Sequence, residues 1–165
     1  MSAVDDILTN NAGFAAQFRE EAGHAQPARR LAVVACMDAR LDVYRALGLA
    51  PGDAHVIRNA GGVVTDDAIR SLVISQRLLG TREIMLVHHT DCGMQTFTDD
   101  ELKDAVEADT GRRPPFSFEP FDDLEQDVRD SIARLRASPF LPHRDSIRGF
   151  IYDCATGRLS EVPPA

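Results

Sequence analysis

Short, unbroken apolar runs constrain the fold of this chain more than anything else in it. Leu31–Cys36 reads Leu-Ala-Val-Val-Ala-Cys, residues 84–87 read Ile-Met-Leu-Val, and residues 149–152 read Gly-Phe-Ile-Tyr. Apolar side chains without alternation suit a strand covered on both faces, and sheets covered on both faces are mostly parallel ones flanked by crossover helices. A weaker run at residues 55–57 adds a candidate strand. Helical spacings fill the gaps: residues 41–47, residues 67–79 behind a Thr65 or Asp66 cap, and Leu124, Val128, Ile132 and Leu135. Thr98 and Glu101 form a capping-box pattern for a further helix. Alternating strands and helices predict an α/β fold, a central mostly parallel β-sheet flanked by helices. After an Ala155-Thr156-Gly157 turn, Leu159–Val162 is expected to return as a C-terminal antiparallel edge strand.

With 165 residues, 44% of them hydrophobic, the chain can bury one substantial core, so residues 1–165 are read as a single domain. Val4, Ile7, Leu8, Phe14, Ala15 and Phe18 recur at helical spacing, which makes residues 1–22 an N-terminal helical arm with an apolar face. Such a face must be covered, either by the chain's own body or by a second copy. Prolines 114, 115 and 120 rule out a regular helix over residues 111–120, leaving a connector or a rim of the site. The net charge is −8 and no long basic run interrupts it, which excludes a phosphate-neutralising surface for nucleic acid. No stretch approaches the 18 or so apolar residues of a membrane span, and Asp5 and Asp6 stand where a signal peptide would be basic. The expected location is cytoplasmic.

Three cysteines, 36, 92 and 154, are too few and too odd in number for a disulfide framework. Cys36 ends the first apolar run, and His89 and Cys92 follow another. Both points lie at the carboxyl ends of expected parallel strands, where open α/β sheets hold their ligands. Two thiolates and one imidazole suit tetrahedral zinc, and three protein ligands leave a fourth position open, as in catalytic sites. Buried cysteines at strand ends also serve as small hydrophobes, so His89-x-x-Cys92 by itself leaves metal and packing both open. Asp38 and Arg40, just beyond Cys36, read either as site groups or as a surface ion pair.

Three segments in order decide between these readings. Cys36-Met37-Asp38-Ala39-Arg40, Arg58-Asn59-Ala60-Gly61-Gly62 and His88-His89-Thr90-Asp91-Cys92-Gly93 together resemble the β-class carbonic anhydrases. The resemblance implies one Zn2+ per chain on Cys36, His89 and Cys92, and a catalytic dyad of Asp38 and Arg40. It implies reversible hydration of carbon dioxide to bicarbonate and a proton, through zinc-bound hydroxide that Asp38 orients and Arg40 supports. In part of that family the aspartate instead takes the fourth zinc position at low pH, so Asp38 is also a conditional metal ligand. Asp38 and the backbone amide of Gly93 are the implied substrate contacts, though at Gly93 a steric need beside the metal serves equally well. The Asn59 to Gly62 segment reads as a loop approaching the site or as an ordinary turn. Ala39 stands where many members carry Ser, which removes a hydroxyl but no ligand. The family also implies a homodimer or higher homo-oligomer, with the arm crossing the partner. The absence of Trp argues against the bicarbonate regulatory pocket that uses one in some members. Two alternatives share these residues: hydrolysis of carbon disulfide or a similar heterocumulene, and a zinc-stabilised binding protein in which Asp38 fills the fourth position permanently. His55 and Cys154 carry no supporting pattern and are read as packing residues, and His88 as structural or a modest proton acceptor.

Overall fold

In the computed structural model, which describes residues 2–18 and 25–163, the elements follow the order α1 (Ala3–Gln17), β1 (Leu31–Cys36), α2 (Val43–Leu47), β2 (Ala54–Asn59), α3 (Asp66–Arg77), β3 (Glu83–His89), α4 (Asp99–Thr110), α5 (Leu124–Ala137), β4 (Ile147–Tyr152) and β5 (Leu159–Val162). The five strands form one sheet in the order β2-β1-β3-β4-β5. Neighbours pair in parallel except β5, which runs antiparallel on the β4 edge. The expected architecture is therefore present, closing strand included.

β1 is central because it is apolar on both sides: residues 32–35 have no exposed surface. Ala32 and Val34 face α3 and α5 with Leu72, Leu86, Val128, Ile132 and Leu135. Val33 and Ala35 face the other side with Leu41, Val43, Val87, Met94 and Phe121. Each such side chain contributes on the order of 1.5–3 kcal/mol on burial, so the two faces together hold the sheet. Gly149 sets how closely α5 lies on β4: a Cβ there would stand 2.2 Å from Val128 Cγ1.

Helix starts follow side-chain caps. Thr65 accepts from the Ala68 amide and starts α3, Asp42 accepts from the Arg45 amide and starts α2, and the Thr98–Glu101 capping box opens α4. The strand expected over residues 84–87 runs two residues further, through His88 and His89. Both imidazoles are fully buried, because each finds a hydrogen-bond acceptor inside the protein. The helix expected in the arm ends at Gln17, and residues 19–22 of the arm lie outside the described residues. α1 buries none of its side chains. Residues 111–120 are irregular, as their prolines require.

Candidate metal centre

The parallel register brings the separated motifs together. β1 lies between β2 and β3 with Cys36 opposite Asn59 and Ala35 opposite Val87, so the strand ends carrying Cys36 and His89 emerge side by side. The chain then turns at Asp91, whose φ of 55° lies in the left-handed region that Asp tolerates better than most residues. That reversal returns Cys92 toward His89. The Sγ atoms of Cys36 and Cys92 and a ring nitrogen of His89 lie within 4.8 Å of one another, all three residues buried.

Whether this set fits zinc follows from its donors. Tetrahedral zinc with two sulfurs and one nitrogen needs ligand separations of roughly 3.5–3.8 Å, within reach of the observed spacing. His89 Nδ1 donates to the Thr90 carbonyl at 2.9 Å, which leaves Nε2 as the lone-pair nitrogen. Nε2 is buried and, among the described residues, has no hydrogen-bond partner. A buried acceptor without a donor is costly unless a cation takes it, so the residues fit the metal. The thiols point the same way. The Cys92 thiol, followed by His89, hydrogen-bonds Cys36 and lowers it to about 4, against the opposing effect of burial. The resulting Cys36 thiolate, together with burial, pushes Cys92 up. The first ionisation of the pair is easy and the second is opposed, and a divalent cation removes that opposition. His89 is raised as well, chiefly by the Cys36 sulfur beside it.

Asp38 and Arg40 form a fork beside the cluster. Arg40 donates through Nε to Oδ1 at 3.0 Å, through Nη2 to Oδ2 at 2.8 Å, and through its backbone amide to Oδ1 at 2.8 Å. These bonds, the side-chain ones first, hold the Asp38 carboxyl well below the usual carboxylate range. Arg40 Nη2 also reaches the Asp91 carbonyl at 3.0 Å, which ties the fork to the turn carrying Cys92. Asp38 Oδ2 stands 3.7 Å from His89 Nε2, on the open side of the donor set.

A family profile described as carbonic anhydrase matches residues 31–159. This chain belongs to the β-carbonic anhydrase family. It is 57% identical over 164 residues to β-carbonic anhydrase 1 of Mycobacterium tuberculosis (strain ATCC 25618 / H37Rv), covering 99% of this chain and 100% of that one. A carbonic anhydrase structure from Streptococcus mutans superposes with a TM-score of 0.89 at 49% identity, covering 99% of each chain. Similarity also extends to a carbon disulfide hydrolase of Saccharolobus solfataricus, 38% identical, covering 79% of this chain and 76% of that protein.

Two further residues, Arg58 and Cys154, lie against this family site, and their placement was not evident from sequence. Arg58 donates twice to the Cys36 carbonyl, at 3.0 and 2.8 Å, and once to the Asp38 carbonyl at 2.8 Å, so one guanidinium fixes the loop bearing both groups. It stood in a recognised segment, but nothing in the spacing says which carbonyls it meets. Cys154, read as packing, is half-buried with its Sγ 3.5 Å from His89 Nδ1, on the side away from the metal donors. His88 is structural: its Nε2 meets Asp127 Oδ2 at 2.6 Å, joining β3 to α5. His55 likewise meets Ser75 and belongs to packing.

A Cβ on Gly93 meets no protein atom of the described residues within 4 Å, so no neighbouring side chain or backbone dictates glycine there. Gly62, at φ 73°, would place a Cβ 2.8 Å from the Cys36 amide nitrogen and 3.1 Å from the Val87 carbonyl oxygen. The Asn59 to Gly62 loop therefore lies against the strand ends that carry Cys36 and His89, and only a residue without Cβ fits at Gly62. Gly62→Ala is expected to cost more than about 2 kcal/mol and to lower metal retention, measured by denaturant unfolding and zinc analysis of the same samples. Wild-type stability in that variant contradicts the close approach.

Proposed function

We propose that the chain catalyses reversible hydration of carbon dioxide to bicarbonate and a proton, with Zn2+ held by Cys36, His89 and Cys92 and with Asp38 and Arg40 as the catalytic pair. The observation that carries this reading is the convergence of the three donors beside a carboxylate that a guanidinium keeps ionised. Zinc, when bound, supplies Lewis acidity that brings the pKa of a coordinated water toward neutrality. The chain's own residues do the rest. Asp38 accepts a hydrogen bond from the attacking oxygen's proton and turns that oxygen's lone pair toward the carbon. Arg40 holds Asp38 charged and fixed, and Arg58 holds the loop that carries Asp38. The Gly93 amide is a candidate donor to bicarbonate, and Asp38 is a conditional fourth ligand at low pH. Crystal structures at acidic and alkaline pH test that last role; an Asp38 carboxylate equally far from the metal in both would remove it.

Carbon dioxide is favoured over carbon disulfide by the full-length match at 57% identity against partial coverage at 38%. The deciding experiment is stopped-flow hydration from acidic to alkaline pH, with carbon disulfide hydrolysis measured alongside. A zinc-dependent carbon dioxide rate is expected to dominate. Faster carbon disulfide turnover would reverse the substrate, and no zinc-dependent rate on either would leave a zinc-stabilised binding protein.

We read the chain as one catalytic domain with an arm, assembled as a homodimer. On α1, Val4, Ile7, Leu8 and Phe14 are each more than 60% exposed. A groove of about 830 Å³ between α3 and α5 presents Ile69, Val73 and Ile74 under a rim of Arg70, Arg77 and Arg134. Helix and groove are complementary in apolarity. Ile7→Asp with Phe14→Asp is expected to halve the particle mass in light scattering, and an unchanged mass would sever the arm from assembly. Among the described residues no helix is long and apolar enough to cross a membrane. We read the location as cytoplasmic, which cell fractionation tests.

A further inference from the structure

At the opposite end of the sheet from the metal cluster, a polar cavity of about 280 Å³ lies where β1 and β3 begin. Each strand rises about 3.3 Å per residue, so this cavity stands roughly 20 Å from the cluster. Its wall includes Gln26, Arg30, Gln76, Gly80, Arg82 and His143, with no carboxylate among the described residues. We propose that this cavity is an anion site for a dianionic oxyanion of phosphate type, held by the guanidiniums of Arg30 and Arg82 with the imidazole of His143.

Charge is the first support. The chain carries net −8 and most of its paired arginines meet a carboxylate, as Arg29, Arg40, Arg113, Arg134 and Arg148 do. Among the described residues Arg30 and Arg82 meet none, yet both line one small cavity. Two cations facing one space repel each other, and an anion between them removes that repulsion. α3 ends at this cavity, and its C-terminal carbonyls bring about half a negative charge, which two full positive charges outweigh. Two guanidiniums match a dianion better than a monoanion, and their forks suit tetrahedral oxygens.

The second support is that the wall is built rather than loose. The Arg30 carbonyl accepts from the Arg82 amide at 2.8 Å and the Glu83 amide at 3.3 Å, which locks the two arginine positions together. Arg30 holds a left-handed φ of 53°, a conformation that costs energy for a residue with a side chain and that the surrounding bonds enforce. Gln76, only 4% exposed, clamps the backbone of His143 from both sides, donating to its carbonyl at 2.8 Å and accepting from its amide at 3.0 Å. Glu83, the nearest acid in sequence, is engaged by the Ser146 hydroxyl instead.

The test is calorimetric titration of inorganic phosphate into the zinc-loaded full chain at constant ionic strength, with bicarbonate and chloride as separate arms. Wild type is expected to show one saturable phosphate site. R30Q/R82Q should bind at least about tenfold more weakly, while R45Q/R112Q, which removes the same charge elsewhere, should bind within about twofold of wild type. Carbon dioxide hydration in phosphate-free buffer should be unchanged in R30Q/R82Q. Equal affinity in wild type and R30Q/R82Q would place the phosphate at the metal cluster or nowhere specific and overturn the proposal. Equal loss in R45Q/R112Q, no saturation, or bicarbonate binding as tightly as phosphate would also overturn it. On wild type, where no variant has to fold, phosphate should protect Arg30 and Arg82 from phenylglyoxal, read by mass spectrometry. Modification of both arginines at the same rate with and without phosphate would likewise overturn the site.

Discussion

Cys92→Ser is expected to yield a folded protein that retains little zinc and hydrates carbon dioxide at least about 10³-fold more slowly than wild type. A serine hydroxyl does not ionise near neutral pH and is a hard donor, so the replacement keeps the volume and removes the ligand. The other two donors stay, since Cys36 and His89 sit on separate strand ends held by the sheet. Zinc content by atomic absorption and rate by stopped flow, on one preparation, provide the measurement. Cys36→Ser should behave alike, whereas Cys154→Ser should keep its zinc, because the Cys154 sulfur lies on the Nδ1 side of His89. Full zinc in Cys92→Ser, or equal loss in all three variants, would contradict the assigned ligand set. Metal retention should also weaken as pH falls, because burial and the Cys36 thiolate already oppose ionisation of Cys92 and added protons compete with the metal.

Asp38→Asn is the second large effect, a fall of roughly 10²–10³-fold in kcat with zinc retained. The amide presents a donor where the carboxylate accepts, and it breaks the two-pronged bond with Arg40. Arg40→Lys should cost about 10–100-fold, since a point charge cannot hold both carboxylate oxygens. The sign of the pH effect follows from the direction of the Asp38 shift. Its folded pKa is depressed by Arg40, so the pair's contribution to stability is complete above the ordinary carboxylate value of about 3.9 and is lost as pH falls through the depressed one. Arg40→Gln lacks that contribution at every pH, and its stability should therefore depend less steeply on pH in the acid range. A variant at Arg40 with wild-type rate and wild-type acid unfolding would dissolve the pair.

The contrast between Cys36 and Cys154 shows how far residue patterns reach. Cys36 was legible because it ends an apolar run and is followed at fixed spacing by Asp38 and Arg40. Cys154 has no such company, and only the pairing of β4 beside β3 carries the following loop to His89. His88 and His89 were clear as a motif but unclear as strand, since polar residues read as loop unless their buried partners, Asp127 and the Thr90 carbonyl, are known. The close fit at Gly62 was hidden for a similar reason: the space around a missing Cβ is set by other strands.

Sequence alone thus indicated the alternation of buried strands and amphipathic helices and, through the resemblance of three ordered motifs, the candidate metal donors with the carboxylate and arginine beside them. The elements rest on local periodicity, and the site groups on short motifs that the resemblance reads together. Tertiary structure decided which nitrogen of His89 is left for the metal, that Arg58 braces the carbonyls of Cys36 and Asp38, and that Arg30, Arg82 and His143 share a cavity. Each of these depends on strands distant in sequence lying about 4.7–4.9 Å apart in a fixed register, a relation that no local pattern contains.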